Sequence, residues 1–353
     1  MIEVNIKENQ KSYPIFFDNS DLSNLKNTVL QKIGSEKYVI VISKKVFNLY
    51  KNILNFDKTL IFILPDGEKE KNIKNYYKIL DFCSKKGLTR DSYIVAIGGG
   101  VVGDITGFVA STYMRGINLI QVPTTLLACV DSSVGGKTAI NTPFGKNIVG
   151  AFYQPSCVII NPNFLKSLDL KNIKCGLGEI IKYGIIENSC LAGESFGIIN
   201  FLNEKVADIL QCKISVLADI VRACIKLKVS VVEKDEKESG LRRILNLGHT
   251  YGHAIEKHTN FSKYSHGECV VEGIRFAFEI ARKNNLVEDN YYYIIQDLLN
   301  KYQFKQFPSF ELKKLISIMK TDKKSTSDYI RFILPVGFAS VKEFKLNDFL
   351  TIF

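Results

Sequence analysis

No stretch of the 353-residue chain approaches the roughly 20 consecutive apolar positions that a membrane-spanning helix needs. The opening segment MIEVNIKENQKSYP also lacks the apolar centre of a secretion signal. Both absences lead to the expectation of a soluble, cytoplasmic protein. No Cys-x-x-Cys pair occurs, which excludes a structural zinc ribbon or finger. The eight cysteines that are present, Cys83, Cys129, Cys157, Cys175, Cys190, Cys212, Cys224 and Cys269, are widely spaced. In a long chain without a secretion signal they read as reduced thiols, mostly buried, rather than as a disulfide framework. Any bound metal must then use histidine and carboxylate. Also missing are an internal repeat, a low-complexity linker and the clustered basic and aromatic stripe of a nucleic-acid face. The excess of 47 Lys and Arg over 36 Asp and Glu, a net charge of +11, therefore points only to some anionic partner, with no nucleic acid and no membrane expected.

What is there is ordinary globular material. A hydrophobic fraction of 46% and a charged fraction of 24% specify a packed core, and the length suits two domains. In the first half, β-branched runs at 38–42, 59–64, 92–97, 118–122 and 157–160 read as strands, with helices at 69–86 and 101–112 between them. Strands so continuously apolar imply a doubly wound parallel sheet covered on both faces, a Rossmann-like α/β fold. Residues 1–6 and 13–17 add a hairpin at its edge. After about residue 162 the period changes to that of long helices, at 176–188, 205–232, 242–257, 267–285 and 288–301, with a short strand at 329–335. The expectation is an α/β domain over 1–161 and a mainly α-helical domain over 162–353, meeting directly to form a cleft.

Two clusters carry chemistry. The strand at 92–97 runs into Gly98-Gly99-Gly100-Val101-Val102-Gly103-Asp104, a G-x-G-x-x-G pattern set between a strand and a helix. Missing side chains there let backbone N–H groups and the helix N-terminus approach a pyrophosphate; a tight turn without ligand is the alternative. The acidic residue usually found about 20 positions further on is replaced by Val122-Pro123-Thr124-Thr125, so the cluster Asp66-Gly67-Glu68 is the substitute for holding a ribose. The second cluster is histidine: His249, His253, His258 and His266 all fall within residues 249–266. His249 and His253, four apart, share a helix face at the spacing of helical zinc sites. By spacing alone they form the ligand pair, with His266 or a carboxylate as the third donor a catalytic zinc needs. His258 reads as a solvated helix end.

Several segments, in order along the chain, resemble 3-dehydroquinate synthases: 98–104, Tyr113-Met114-Arg115-Gly116, 121–125, 130–138, 145–152, 178–184, 235–238 and 245–256. The resemblance implies NAD in the α/β domain and a divalent metal, zinc with cobalt as the alternative, in the helical domain. It reassigns the ligands to Glu179, His249 and His266, and makes His253 a proton-relay residue assisted by Glu238, with Lys182 in the catalytic set. Read alone, Glu179 looks like a surface carboxylate beside its i, i+3 lysine. For NAD the resemblance points to Asp66, Glu68, Lys71, Gly99, Gly100, Val101, Asp104, Thr124, Thr125, Lys146, Phe164, Leu165, Lys166 and Ser167, although Thr124 and Thr125 would also serve as a plain helix cap. Substrate contacts fall on Arg115, Asp131, Lys137, Asn147, Lys228, Arg242, Asn246 and Lys324, with Lys323 an equal rival to Lys324.

The implied reaction turns 3-deoxy-D-arabino-heptulosonate 7-phosphate into 3-dehydroquinate and phosphate, in the shikimate pathway. Its stages are transient oxidation by NAD, β-elimination of phosphate, reduction, ring opening and intramolecular aldol closure. The implied assembly is a homodimer. The rivals are an NAD- and metal-dependent polyol dehydrogenase of the glycerol dehydrogenase type, another sugar phosphate cyclase, and a noncatalytic nucleic-acid binder that would leave both clusters unexplained. Cys129, where glutamine is common, and Cys175 depart from the family pattern.

Overall fold

Successive residues of a strand point to opposite faces, so an unbroken apolar strand must be covered twice. The computed structural model, which describes residues 1–6, 11–190, 195–320 and 329–346, meets this requirement at the central strands of its first half. The chain divides into two compact units, Met1–Leu168 and Asp169–Phe353.

The first unit contains β1 (Ile2–Ile6), β2 (Lys11–Phe17), α1 (Leu25–Ile33), β3 (Tyr38–Ser43), α2 (Lys44–Leu54), β4 (Ile61–Leu64), α3 (Ile73–Lys85), β5 (Tyr93–Gly98), α4 (Gly100–Thr112), β6 (Asn118–Pro123), β7 (Lys137–Thr142), β8 (Gly145–Phe152) and β9 (Cys157–Ile160). Seven strands form one sheet in the order β1-β2-β9-β6-β5-β3-β4. It is parallel except at its edge, where β1 pairs antiparallel with β2 as the expected hairpin. Ile40, Ile42, Val95, Ile97, Ile120 and Val122 pack on one face against Leu25, Val29 and Ile33 of α1 and Val46 and Leu54 of α2. Val39, Val41, Ile94, Ala96 and Leu119 pack on the other against Ile79 of α3 and Val102, Ile105 and Val109 of α4. Each buried Val, Leu or Ile among them contributes about 1.5–3 kcal/mol by leaving water. The connection from β3 leads outward to β4, whereas that from β5 leads the other way to β6. The strand order therefore reverses between β3 and β5, the switch point at which open α/β sheets bind ligands beyond their carboxyl ends.

The second unit contains α5 (Leu170–Cys190), α6 (Ile198–Glu204), α7 (Val206–Leu210), α8 (Ile214–Val232), α9 (His249–His258), α10 (His266–Lys283), α11 (Asp289–Lys301) and α12 (Leu312–Lys320), followed by the antiparallel pair β10 (Ile330–Pro335) and β11 (Val341–Leu346). Two expected helices are divided. The segment 205–232 breaks between α7 and α8, where Cys212 takes a positive φ of 55°. The segment 242–257 splits into a 3-10 turn, Leu241–Asn246, and α9, with Gly248 in the left-handed region between them. Helices α1, α2, α6 and α12, the hairpin β7–β8 and β11 were not anticipated. All eight cysteines are free; six are buried and Cys175 and Cys212 partly so. Burial pushes the thiols of Cys83, Cys129, Cys157 and Cys190 up to about 12, which leaves them inert. Among the described residues, no helix is long and apolar enough to cross a membrane.

Candidate active site

In the first unit the chemistry gathers where strands end. Each glycine of the G-x-G-x-x-G pattern meets a different neighbour. A Cβ on Gly98 would lie 2.5 Å from Val102 Cγ2 across the tight turn, one on Gly100 would lie 3.1 Å from Ser132 Oγ, and one on Gly103 would lie 2.9 Å from Gln121 Oε1 on β6. These are a sharp turn, a close approach of the Ser132 hydroxyl to the turn, and close helix-to-strand packing; the first and last are two of the uses of glycine in a dinucleotide loop. No side chain caps α4, so the N–H groups of its first turn are left to face an incoming anion.

Beside this turn Lys71 is buried, with Nζ 2.9 Å from Asp104 Oδ2 and 3.3 Å from Glu68 Oε1. Burial opposes its charge, but the two carboxylates outweigh it and raise its pKa, so the ammonium stays protonated. Asn141 Nδ2 donates to Glu68 Oε1 at 2.7 Å, an arrangement the sequence did not suggest. Asp66 is exposed after β4 and accepts from Lys45 N at 3.0 Å. Thr124 N donates to Gly98 O at 2.9 Å, and Thr125 Oγ1 accepts from Ala128 N at 3.2 Å, which is the helix cap foreseen as the alternative. Val101 lies in the first turn of α4. Phe164 and Leu165 are buried, with the Phe164 ring against Tyr50, whereas Lys166 is exposed and Ser167 half-buried. Of the remaining first-unit candidates, Arg115 and Lys137 are exposed, Asp131 is half-buried in a π-helical turn, and Lys146 and Asn147 lie on β8, the latter with φ 54°.

The second unit brings the histidines to a buried carboxylate through helices whose main chains touch. A Cβ on Gly178 of α5 would lie 2.4 Å from Gly267 O, and one on Gly267 of α10 would lie 2.1 Å from Cys175 O. Across α9 and α10, Gly252 has Cys269 O at 2.7 Å from its would-be Cβ, and Gly273 has Gly248 O at 1.9 Å. Glycine at these crossings therefore lets Glu179 on α5, His249 at the start of α9 and His266 at the start of α10 converge. Glu179 is fully buried rather than on the surface, and its Oε2 forms an ion pair with the equally buried Lys182. Its Oε1 lies 3.4 Å from His249 Nε2 and 3.5 Å from His266 Nε2.

Those separations suit a metal. Donor atoms on a tetrahedral zinc with bonds of about 2.1 Å stand about 3.4 Å apart. The imidazoles are also turned correctly: His249 Nδ1 is 3.1 Å from Leu247 O, a pure acceptor, so Nδ1 carries the hydrogen and Nε2 keeps its lone pair. Burial lowers the His249 pKa to about 3, so the ring is neutral. Around His266 burial acts in the same direction, but hydrogen bonds and charges from Glu179 and Glu256 outweigh it and raise the metal-free pKa to about 10. The spacing pair His249 and His253 is thus divided. Their rings stand edge to face with centroids 5.2 Å apart, and His253 does not belong to the Glu179, His249, His266 trio. His258 is exposed at the end of α9, as expected.

Next to the trio, a single loop organises three further candidates. Asp235 accepts from the backbone N–H groups of Ser239 (2.8 Å), Gly240 (2.7 Å) and Arg242 (2.9 Å). Burial raises its pKa, yet these donors prevail and the net shift is downward. Within this clip Glu238 adopts a left-handed φ of 61° and accepts from Asn246 Nδ2 at 2.5 Å, while the buried Arg242 donates through Nη1 to Glu236 O. Lys228 is buried on α8. Lys324, and Lys323 with it, lies outside the described residues. Asp235 and Glu256 were not singled out from sequence; the available signals were a carboxylate opening the 235–242 loop and a glutamate at i+3 from His253.

Comparison with known proteins gives a consistent result. A family model described as 3-dehydroquinate synthase N-terminal matches residues 61–175, and one described as 3-dehydroquinate synthase C-terminal matches 176–325. The 3-dehydroquinate synthase of Alkaliphilus metalliredigens is 42% identical over 349 residues, covering 98% of this chain and 95% of its own. That of Caldanaerobacter subterraneus subsp. tengcongensis is 40% identical, covering 97% of this chain and 96% of its own. Among solved structures, 2-deoxy-scyllo-inosose synthase complexed with carbaglucose-6-phosphate, NAD+ and Co2+ shares the fold with a TM-score of 0.85 at 24% identity, covering 99% of this chain and 98% of that one.

Proposed function

Because the chain belongs to the 3-dehydroquinate synthase family, we propose that Glu179, His249 and His266 hold a divalent cation, Zn²⁺ or Co²⁺, and that the turn at Gly99, Gly100 and Val101 holds NAD. The activity is the conversion of 3-deoxy-D-arabino-heptulosonate 7-phosphate to 3-dehydroquinate and phosphate. The observation that carries the site assignment is the meeting of one buried carboxylate oxygen with two imidazole Nε2 atoms at 3.4 and 3.5 Å.

When bound, NAD accepts and returns a hydride while the cation acts as a Lewis acid toward the reacting oxygen. The protein does the remaining work. Lys71, Glu68, Asp66 and Asp104 present a fixed charge pattern beside the glycine turn, with Thr124, Thr125, Lys146 and the turn Phe164, Leu165, Lys166, Ser167 completing the cofactor contacts. Lys182 neutralises Glu179 Oε2 and directs Oε1 at the imidazoles. His253, exposed at its ring and adjacent to both histidine ligands, takes the proton of the substrate's secondary alcohol and gives it back. Glu238, locked by Asn246, assists that transfer.

The substrate is a polyol bearing a carboxylate and a phosphate, and it needs cationic forks and point charges. In the second unit Lys228, Arg242, Asn246 and Lys324 take this role; in the first, Arg115, Asp131, Lys137 and Asn147. The reading further includes a cytoplasmic location and a homodimer, the second of which sedimentation of the purified protein tests.

Incubating the protein with substrate and NAD while following phosphate release and NADH absorbance together is the deciding experiment. A synthase releases phosphate and 3-dehydroquinate with no accumulation of NADH. Accumulated NADH without phosphate would make the chain a polyol dehydrogenase, and a different carbocycle in the product would make it another sugar phosphate cyclase.

A further inference from the structure

Glu256 is a buried carboxylate that the assignments above leave without a role. It lies on α9, one turn after His253, and only 5% of it is exposed. A buried carboxylate is costly unless polar partners face it. Here a single atom, Oε2, faces two histidines of the site, His266 Nδ1 at 3.4 Å and His253 Nε2 at 4.0 Å. The His266 ring thus stands between two carboxylates, with Nε2 toward Glu179 and Nδ1 toward Glu256. A neutral imidazole has one N–H and one lone pair. If Nε2 is to offer its lone pair to a cation, the hydrogen must sit on Nδ1 and point at an acceptor, which is where Glu256 Oε2 lies.

We propose that Glu256 is a positioning residue. It fixes the tautomer and ring angle of His266 for metal binding. The proposal rests on the assignment of Glu179, His249 and His266 as ligands. A carboxylate behind a ligating histidine also makes that nitrogen a stronger donor, and losing such a partner typically weakens metal binding by about 10- to 100-fold. The atoms leave one rival: His253, Glu256 and His266 themselves have donor atoms within 4.8 Å of one another and would form a second cation site.

The test measures Zn²⁺ affinity by competition with a chromophoric chelator, and the visible spectrum of the Co²⁺ form, for the full-length protein and its Glu256→Gln, Glu256→Ala and Glu179→Gln variants, with folding checked by circular dichroism. The expected result is one Zn²⁺ per chain, about tenfold weaker binding in Glu256→Gln, whose amide oxygen still accepts from Nδ1, up to about 100-fold weaker binding in Glu256→Ala, and altered cobalt bands in both. Should the alanine variant fail to fold, the isosteric glutamine variant decides alone. Unchanged affinity and spectrum in the folded Glu256 variants overturn the proposal. So does a second equivalent of Zn²⁺ that Glu256→Ala removes while the first binds as before, since Glu256 would then be a ligand. Unchanged affinity in Glu179→Gln instead overturns the ligand assignment, and the proposal with it.

Discussion

Replacing His253 with alanine removes a ring that lies beside His249 and His266, with centroids 5.2 and 5.9 Å away, yet belongs to neither the Glu179 ion pair nor a packed core. Turnover should fall by about 10² to 10⁴, the usual worth of a positioned acid or base, with an unchanged melting curve. Full activity in that variant would remove His253 from the proton path. Asp235 offers a different test, because its downward pKa shift makes it a pH-dependent support of the loop that carries Glu238, Arg242 and Asn246. A carboxylate whose folded pKa is depressed contributes stability above its unfolded value and loses that contribution as pH falls through the folded one. Asp235→Asn should therefore cost about 1–3 kcal/mol in urea unfolding at neutral pH, and the gap to the parent should narrow as pH drops below 3.8. A gap that does not change with pH would mean that the clip acts by shape alone. Not all of this was legible in the sequence. The four histidines announce themselves by crowding into residues 249–266. Glu179 does not, because a carboxylate with a lysine at i+3 looks the same on a solvated helix as it does buried, and only the family resemblance marked it.

At the level of elements, sequence patterns succeed where one run of residues settles the matter and fail where a partner does. The strands β3, β5 and β9 were readable because Val and Ile occur on both faces, and β6 because Ile120 and Val122 fill one face and Leu119 adds to the other. The hairpin β7–β8 was not, because β8 is exposed on both faces at residues 147–150 and three of its residues, Gly145, Lys146 and Asn147, are poor strand formers. The glycine turn was legible as a motif, and it yields a prediction. A valine at Gly99 would push its side chain toward Thr125, already 3.0 Å from a bare Cβ, and block backbone approach to an anion. Losing one charge-assisted hydrogen bond costs about 1.5 kcal/mol or more, roughly a tenfold loss, so NAD should bind Gly99→Val about tenfold more weakly in a titration, with zinc affinity unaltered. The helix crossings were invisible, since no local pattern says that Gly178 meets Gly267. Gly178→Ala should force α5 and α10 apart, costing about 1–3 kcal/mol by overpacking. Zinc affinity should fall with it, because Glu179 and His266 ride on those two helices. A destabilised variant that kept parental zinc affinity would show that the ligand spacing does not depend on the crossing.

For the whole molecule, the two units have separate cores, and the trio lies within a unit already held together by fully buried Leu177, Ile180, Ile181, Ile255, Val270 and Ile274. A cation bound there would complete a site rather than a fold. Treatment with a chelator should stop phosphate release, leave the circular dichroism spectrum intact, and be reversed by adding back Zn²⁺ or Co²⁺; unfolding on chelation would contradict this reading. The glycine contacts beneath the trio have one more consequence. The obstacles to a Cβ at Gly178, Gly267, Gly252 and Gly273 are carbonyl groups of neighbouring main chain, which have no rotamer to escape into. The spacing of the helices that carry the trio is consequently set by peptide planes in contact. A variant can exchange one side chain of the trio for another, but it cannot widen the spacing between these helices gradually, because any Cβ added at the contacts requires moving a helix.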